Sequence, residues 1–508
     1  MEYIDNEIQY LATDTSATIY WEKPEVFLEG SDSYQIWLND AIYGETDKTH
    51  SSLCGLGPDT EYMIRIMLVR DSAEMARLGE IQIRTRSTKK VLDITKAPYG
   101  AVGDGNTLNT DAIQRAIDAC GADTMVYIPK GIFMTGALRL HRDMELYLEK
   151  GAVLQGTDRR EDYLPLIPSR FEGTEMMCYS SLLNLGELDR GGYHCHNVVI
   201  RGEGTIAGGG KKLAERIIAY ETEHLKEYMS SLGDQLCECE KPETIPGRLR
   251  PRLINISSCR NVSISGLTLR DGPCWNVHMI YSENIVTDHC IFCSEGVWNG
   301  DGWDPDSSRN CTIFACTFYT GDDSVAVKSG KNPQGNEIGR PCEKIRIFDC
   351  VCKQGHGIAV GSEMSGGVWD VKIWDCDLSD SKWGIEIKGT EKRGGYVSDI
   401  HVRNCTVPRI LFHAVSYNDD GIAALTPPVF EKCSFTDVSV LGSIRSDGGG
   451  RENCAAIELC GFDKEGYELR DIVFSRVRMP DRKGSAETGQ MILMKNCRNI
   501  QFTEMTVD

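Results

Sequence analysis

Trp298-Asn299-Gly300-Asp301-Gly302-Trp303-Asp304 opens a stretch that closes on Ile385-Glu386-Ile387-Lys388. Between them stand Gly321-Asp322-Asp323-Ser324 and Gly355-His356-Gly357. Each polar cluster is set in apolar, β-prone sequence. The spacings are 322 − 301 = 21, 356 − 323 = 33 and 386 − 356 = 30 residues. One coil of a stacked β-solenoid takes roughly 20–30 residues plus loop insertions. The four clusters therefore fit four successive coils on one face, where rungs ~4.8 Å apart bring their side chains together.

A weak repeat on both sides of this stretch supports the solenoid. Asn261-Val262-Ser263-Ile264 leads to Leu267, Asn284-Ile285 to Cys290, and Asn310-Cys311-Thr312-Ile313 to Cys316. Lys344-Ile345-Arg346-Ile347 leads to Cys350, Asp370-Val371-Lys372-Ile373 to Cys376, and Asp399-Ile400-His401-Val402 to Cys405. The closing residue always falls six positions after the polar opener, so Cys290, Cys316, Cys350, Cys376 and Cys405 are expected to stack as an interior column. Further copies begin at Asp471 and Asn499. Period-2 alternation turns the apolar residues inward. Asn109–Cys120 reads as an amphipathic helix with Asn109 as its cap, covering the first coil. Residues 211–246 interrupt the array with a helical, then acidic insertion, which either walls one end of a cleft or decorates the surface.

Residues 1–86 read as a separate small β-sandwich, from short alternating runs such as Ala17–Trp21, Tyr34–Leu38 and Tyr62–Ile66. Residues 91–508 form the solenoid. Leu56–Tyr62 resembles the tyrosine corner of fibronectin type III domains, and Trp21 fits their core tryptophan; sugar binding and a spacer role both remain open.

Composition excludes some classes. A formal net charge of −20 leaves no basic footprint for nucleic acid. It also repels a polyanionic substrate, so an acidic sugar needs local cations. No apolar run approaches a membrane span, and Met1-Glu2-Tyr3-Ile4-Asp5 lacks a leader's apolar core. The 21 cysteines read as reduced core thiols, and neither Cys237-Glu238-Cys239 nor Cys350-Val351-Cys352 has a partner pair at zinc spacing. No metal or cofactor is expected, and the expected location is cytoplasmic.

Asp301, Asp322 and Asp323 can supply the acid and base that glycoside cleavage needs, because crowded carboxylates titrate apart. His356, between two glycines, can orient a carboxylate or bind sugar. Glu386 and Lys388 lie two apart on a strand and share a face.

The ordered set resembles glycoside hydrolase family 28, the polygalacturonases, whose motifs are Asn-x-Asp-Gly-x-Asp, Gly-x-Asp-Asp, Gly-His-Gly and Arg-x-Lys. The first three stand intact at 299–304, 321–323 and 355–357. The resemblance implies an all-β chain with a right-handed parallel β-helix and an inverting hydrolase, exo-acting on short pectin-derived oligosaccharides. It implies Asp322 as general acid, Asp301 and Asp323 activating water, His356 supporting the acid, Lys388 contacting substrate and Asn299 shaping the site. Lys328 and Arg252 are further cation candidates. The fourth motif departs: Glu386 stands where the family has Arg. Either Arg393 compensates, or the sugar there is neutral, such as a rhamnoside. A pectate-type lyase and a non-catalytic sugar-binding solenoid are the remaining alternatives. An inverting pair is expected to leave roughly 6.5–9.5 Å between acid and base.

Overall fold

The computed structural model describes residues 2–507 except positions 4, 5, 72, 417, 419, 420, 446–449 and 481–490. The chain divides into two units, Met1–Val91 with Asp123–Met125, and Leu92–Ala122 with Val126–Asp508.

The first unit is a small sandwich. Gln9–Ala12, Ser16–Tyr20 and His50–Cys54 form one antiparallel sheet, while Asp32–Leu38, Glu61–Arg70 and Ala73–Arg84 build the other. Ile19, Tyr34, Ile36, Ile64 and Ile66 alternate inward to fill the space between them. Trp21 is buried there, edge-on to Tyr34 at 5.2 Å. The Gly57 amide donates to the Tyr62 hydroxyl at 2.8 Å, pinning the corner that the sequence marks.

The second unit is a right-handed parallel β-helix with three long sheets of eight, thirteen and eleven strands. The register matches the repeat. Val262, Ile285, Cys311, Ile345, Val371 and Ile400 are successive partners in the thirteen-stranded sheet. The polar openers have a conformational cause. Asn261, Asn284, Asn310, Asp370 and Asp399 all turn the chain at φ between 51° and 59°. Asn and Asp tolerate that left-handed conformation best among residues with a side chain. The asparagines also bond along the stack, Asn261 to Asn197 and Asn284 to Asn261 at 3.0 Å, and Asn310 to Asn284 at 2.7 Å. A coil at Lys432-Cys433-Ser434-Phe435 follows the same register and closes on buried Val438 instead of a cysteine.

Cys290, Cys316, Cys350, Cys376 and Cys405 are each no more than 3% exposed, and the Cys290 amide donates to Cys316 Sγ at 3.4 Å. None of the 21 cysteines is joined in a disulfide. Titration of the denatured, non-reduced protein is expected to find nearly all thiols free; several protected disulfides would refute the reduced-core reading.

The capping helix is Thr110–Asp118, with Ile113, Ala116 and Ile117 against the first coil. Asn109 occupies the N-cap position but makes no capping bond. Its amide instead braces the preceding loop, donating to the carbonyls of Val102 (3.0 Å) and Thr107 (2.7 Å). The insertion forms helices Gly210–His224, Lys226–Leu232 and Thr244–Gly247. Among the described residues no helix is long and apolar enough to cross a membrane.

Candidate active site

The site lies on the outer face of the eleven-stranded sheet. Its floor comprises Val277–Ile280, Trp303–Asp306, Val325–Val327, Gly357–Val360, Gly384–Gly389 and Ile410–Ala414, consecutive in that sheet. Trp303, Val325, Ile358 and Ile385 are in register and point into the core. Residues one position along therefore face the cleft. Glycines line its edge where there is no room for a side chain: a Cβ on Gly302 would meet the Ser324 carbonyl at 2.4 Å, and one on Gly321 the Val297 carbonyl at 2.5 Å.

Asp322, Asp323 and His356 are brought together. His356 Nδ1 lies 2.9 Å from Asp322 and 3.4 Å from Asp323. Between two carboxylates the imidazole is held charged, at a pKa of about 9: burial pulls the value down, and the bonds to Asp322 and Asp323 more than reverse it. Asp322 keeps a quarter of its side chain exposed, whereas Asp323 is buried. Burial pushes the Asp323 carboxyl up, but Lys388 at 3.4 Å and His356 outweigh it and hold Asp323 ionised. One oxygen of each aspartate and a ring nitrogen of His356 lie within 4.8 Å of one another. Asp322 and Asp323 therefore share one imidazole at a strand edge.

Asp301 is buried, with Lys328 Nζ at 3.3 Å from Oδ2. Beside it, Asp304 has 0% exposure and no hydrogen-bond partner for either oxygen among the described residues. Burial pushes Asp301 well above the carboxylate range and Asp304 pushes it further, with Lys328 pulling back. Asp304 is raised too, chiefly by burial. The site therefore sets Asp323, drawn towards its ionised form, next to Asp301 and Asp304, which burial draws towards the protonated form. Such divergent environments are the physical basis of an acid and base division among carboxylates.

Lys328 reaches Glu363 at 3.7 Å and lies over the Trp275 ring at 4.4 Å. Lys388 bridges Asp323 and Glu386, the latter at 2.8 Å. Glu386 is only 5% exposed and its other oxygen lies 2.7 Å from His413 Nε2. It does not stand open to a sugar. Burial raises its carboxyl, and Lys388 and His413 together bring it below the usual range. Asn299 sits at the rim with φ 51° and accepts from Arg250 at 2.7 Å.

Two sequence candidates lie elsewhere. Arg252 is buried against Phe171 and Trp275 and donates to the Arg250 carbonyl (3.0 Å) and to that of Arg170. Arg393 is 0% exposed, its guanidinium spent on Ser362 O (3.0 Å), Asn332 Oδ1 (2.7 Å) and Asn418 O (3.1 Å). Both brace loops and present no surface to substrate, so Arg393 does not compensate for Glu386.

One side of the cleft is walled. The hairpin Leu166–Phe171/Thr174–Tyr179 crosses the sheet face and buries Arg170 against Asp306 at 2.9 Å. Glu172 in its turn pairs with Arg248 at 2.8 Å and accepts from Asn418 at 3.4 Å. The insertion joins this wall: Glu240 N–H donates to Asn418 (2.9 Å), Glu238 pairs with Lys392 (2.5 Å), and Lys241 lies over Trp298 (3.9 Å). Of its two sequence readings, the wall is the one the contacts support.

The sequence model of the glycosyl hydrolases family 28 matches residues 171–421, which contain Asp301, Asp322, Asp323, His356, Glu386 and Lys388. The chain belongs to that family. As a family 28 protein it is a glycoside hydrolase. It is 27% identical to the exo-poly-alpha-D-galacturonosidase of Dickeya chrysanthemi over 519 aligned residues, covering 92% of this chain and 85% of the relative. The family 28 exopolygalacturonase of Yersinia enterocolitica superposes with a TM-score of 0.79 at 20% identity, covering 100% of this chain and 99% of that one. The hyperthermoactive exopolygalacturonase of Thermotoga maritima does so at 0.65 and 26% identity, over 82% of this chain and 92% of that one.

Two residues of this family 28 site escaped sequence reasoning. Asp304 was visible as the last residue of the first motif, and a signal existed: it lies three positions from Asp301. His413 had none, since only the parallel register Lys388↔His413 brings it to Glu386.

Proposed function

We propose that this hydrolase removes sugars from the ends of short, pectin-derived galacturonide chains by an inverting mechanism. Asp322, the open carboxyl, protonates the leaving glycosidic oxygen. Asp323, kept ionised by Lys388 and His356, activates the water together with Asp301, whose charged form Lys328 favours against burial. His356 orients Asp322. Lys388 aligns Asp323 and borders the bound sugar, and Asn299 shapes the rim. The observation that carries the exo reading is the wall: Glu172–Arg248, Asn418 and Glu238–Lys392 close the cleft on one side, so a chain enters by its end. Free thiols support a reducing, cytoplasmic setting in which such oligomers arrive already shortened.

A neutral glycoside is the second reading. It is favoured by one observation: Lys328 and Lys388 both face internal carboxylates, leaving less positive charge for a uronate. The test is a product-size and reducing-end screen on oligogalacturonides and neutral pectic fragments, with proton NMR of the first-formed anomer. Monomer or dimer release from galacturonides with inverted configuration is expected. Retention refutes the mechanism, an unsaturated ultraviolet-absorbing product makes the enzyme a lyase, and turnover of neutral fragments alone favours the second reading.

A further inference from the structure

Asp322, His356 and Trp383 climb the β-helix one coil at a time. The His356 amide donates to the Asp322 carbonyl and the Trp383 amide to the His356 carbonyl, both at 2.9 Å. The Trp383 ring lies 6.1 Å from that of His356 and is partly exposed. The His356 ring touches Asp322 and the Trp383 ring lies one rung beyond it, so the indole borders the space into which a sugar held against Asp322 extends. Two cations accompany it. Lys382 Nζ lies over the ring at 4.7 Å and Arg409 at 5.6 Å. Arg409 is tied to Glu458 at 2.9 Å. Lys382 is exposed and forms no ion pair among the described residues. It differs in this from Lys328 and Lys388, whose charges are met inside the pocket.

We propose that Trp383 and Lys382 form the subsite for the departing sugar, the indole as stacking platform and the ammonium as partner for its carboxylate. This rests on the reading of Asp322 as the acid. The sugar bonded through the protonated oxygen must lie against Asp322, and the opposite side of the cleft is walled. Aromatic rings supply a flat apolar face at low entropic cost. Lys382 is long and flexible, so a sugar ring takes its place on the indole and keeps the ammonium at its edge. On a chain of net charge −20, this cation, which forms no ion pair among the described residues, also decides whether an acidic sugar is accepted there.

The experiment compares Trp383→Ala with the parent on trigalacturonate and on a galacturonosyl fluoride, whose leaving group fills no subsite. The trisaccharide is expected to lose about tenfold in kcat/KM, chiefly through KM, with the fluoride unchanged. Lys382→Gln is expected to cost about threefold on trigalacturonate at low salt and nothing at high salt. Equal loss on both substrates, or no loss on the trisaccharide, overturns the platform. If the parent cleaves only neutral oligosaccharides, the galacturonide reading fails instead. The same comparison on a neutral oligosaccharide and its fluoride then decides the platform, and the carboxylate role of Lys382 falls. Should Trp383→Ala not fold, Trp383→Leu, which fills the volume without a flat face, is read in the same way.

Discussion

Asp322→Asn is expected to lower kcat on an oligosaccharide by about three orders of magnitude while leaving the melting temperature in place. The amide keeps the shape and still sits against His356, but it has no proton to give. The side chain is the most open carboxyl of the set, a quarter exposed, so its replacement breaks no buried ion pair. A glycosyl fluoride separates this role from a structural one. Fluoride leaves without full protonation, so Asp322→Asn retains most of its rate on that substrate. If the variant is near the parent on the oligosaccharide, or equally slow on both substrates, Asp322 is not the acid. Asp323→Asn is the contrasting case. It removes the charge that Lys388 and His356 are arranged around, so both substrates slow together.

The residues that announce the fold in the sequence do so because each obeys a local rule. Asn284 and Asp370 turn the chain where φ is positive, Val262 and Ile285 alternate inward, and Cys316 closes its coil six positions after Asn310. Each rule acts within one coil and repeats, so the pattern is visible without coordinates. The site was legible to the same extent. Asp301, Asp322, Asp323, His356 and Lys388 sit at strand edges of successive coils, and register alone brings them together. What could not be read is what long loops deliver. Arg170 reaches Asp306, and Asn418 reaches Glu172, from loops whose path no periodicity sets. Burial was equally hidden. Arg252 and Arg393 look like available cations in a sequence, yet the loops that close over them consume their donors. Glu386 is the most consequential residue of this kind. A carboxylate in a cation's place suggests repulsion of an acidic sugar, but its charge is already met by Lys388 and His413.

Glu386→Arg is therefore expected to damage the enzyme rather than redirect it. Read as an open residue, Glu386 repels a uronate, and its replacement by Arg raises kcat/KM for galacturonides relative to neutral sugars. The structure reverses that expectation. Glu386 is 5% exposed, 2.8 Å from Lys388 Nζ and 2.7 Å from His413 Nε2. Removing one partner of a buried ion pair costs about 3–5 kcal/mol. Arginine then sets a second cation beside Lys388 in a largely buried space. Lys388 loses the partner that fixes it opposite Asp323, so the alignment of the base suffers with the stability. Both substrate classes should lose at least tenfold in kcat/KM, with a melting temperature several degrees lower. Glu386→Gln separates charge from shape: it can still accept a hydrogen bond from Lys388, so its loss is smaller in both measurements. The decisive comparison is the galacturonide-to-neutral ratio alongside thermal denaturation. An unchanged melting temperature with a higher ratio would mean that Glu386 faces the sugar after all. A lower melting temperature with the ratio unchanged makes it the residue that holds Lys388 in place.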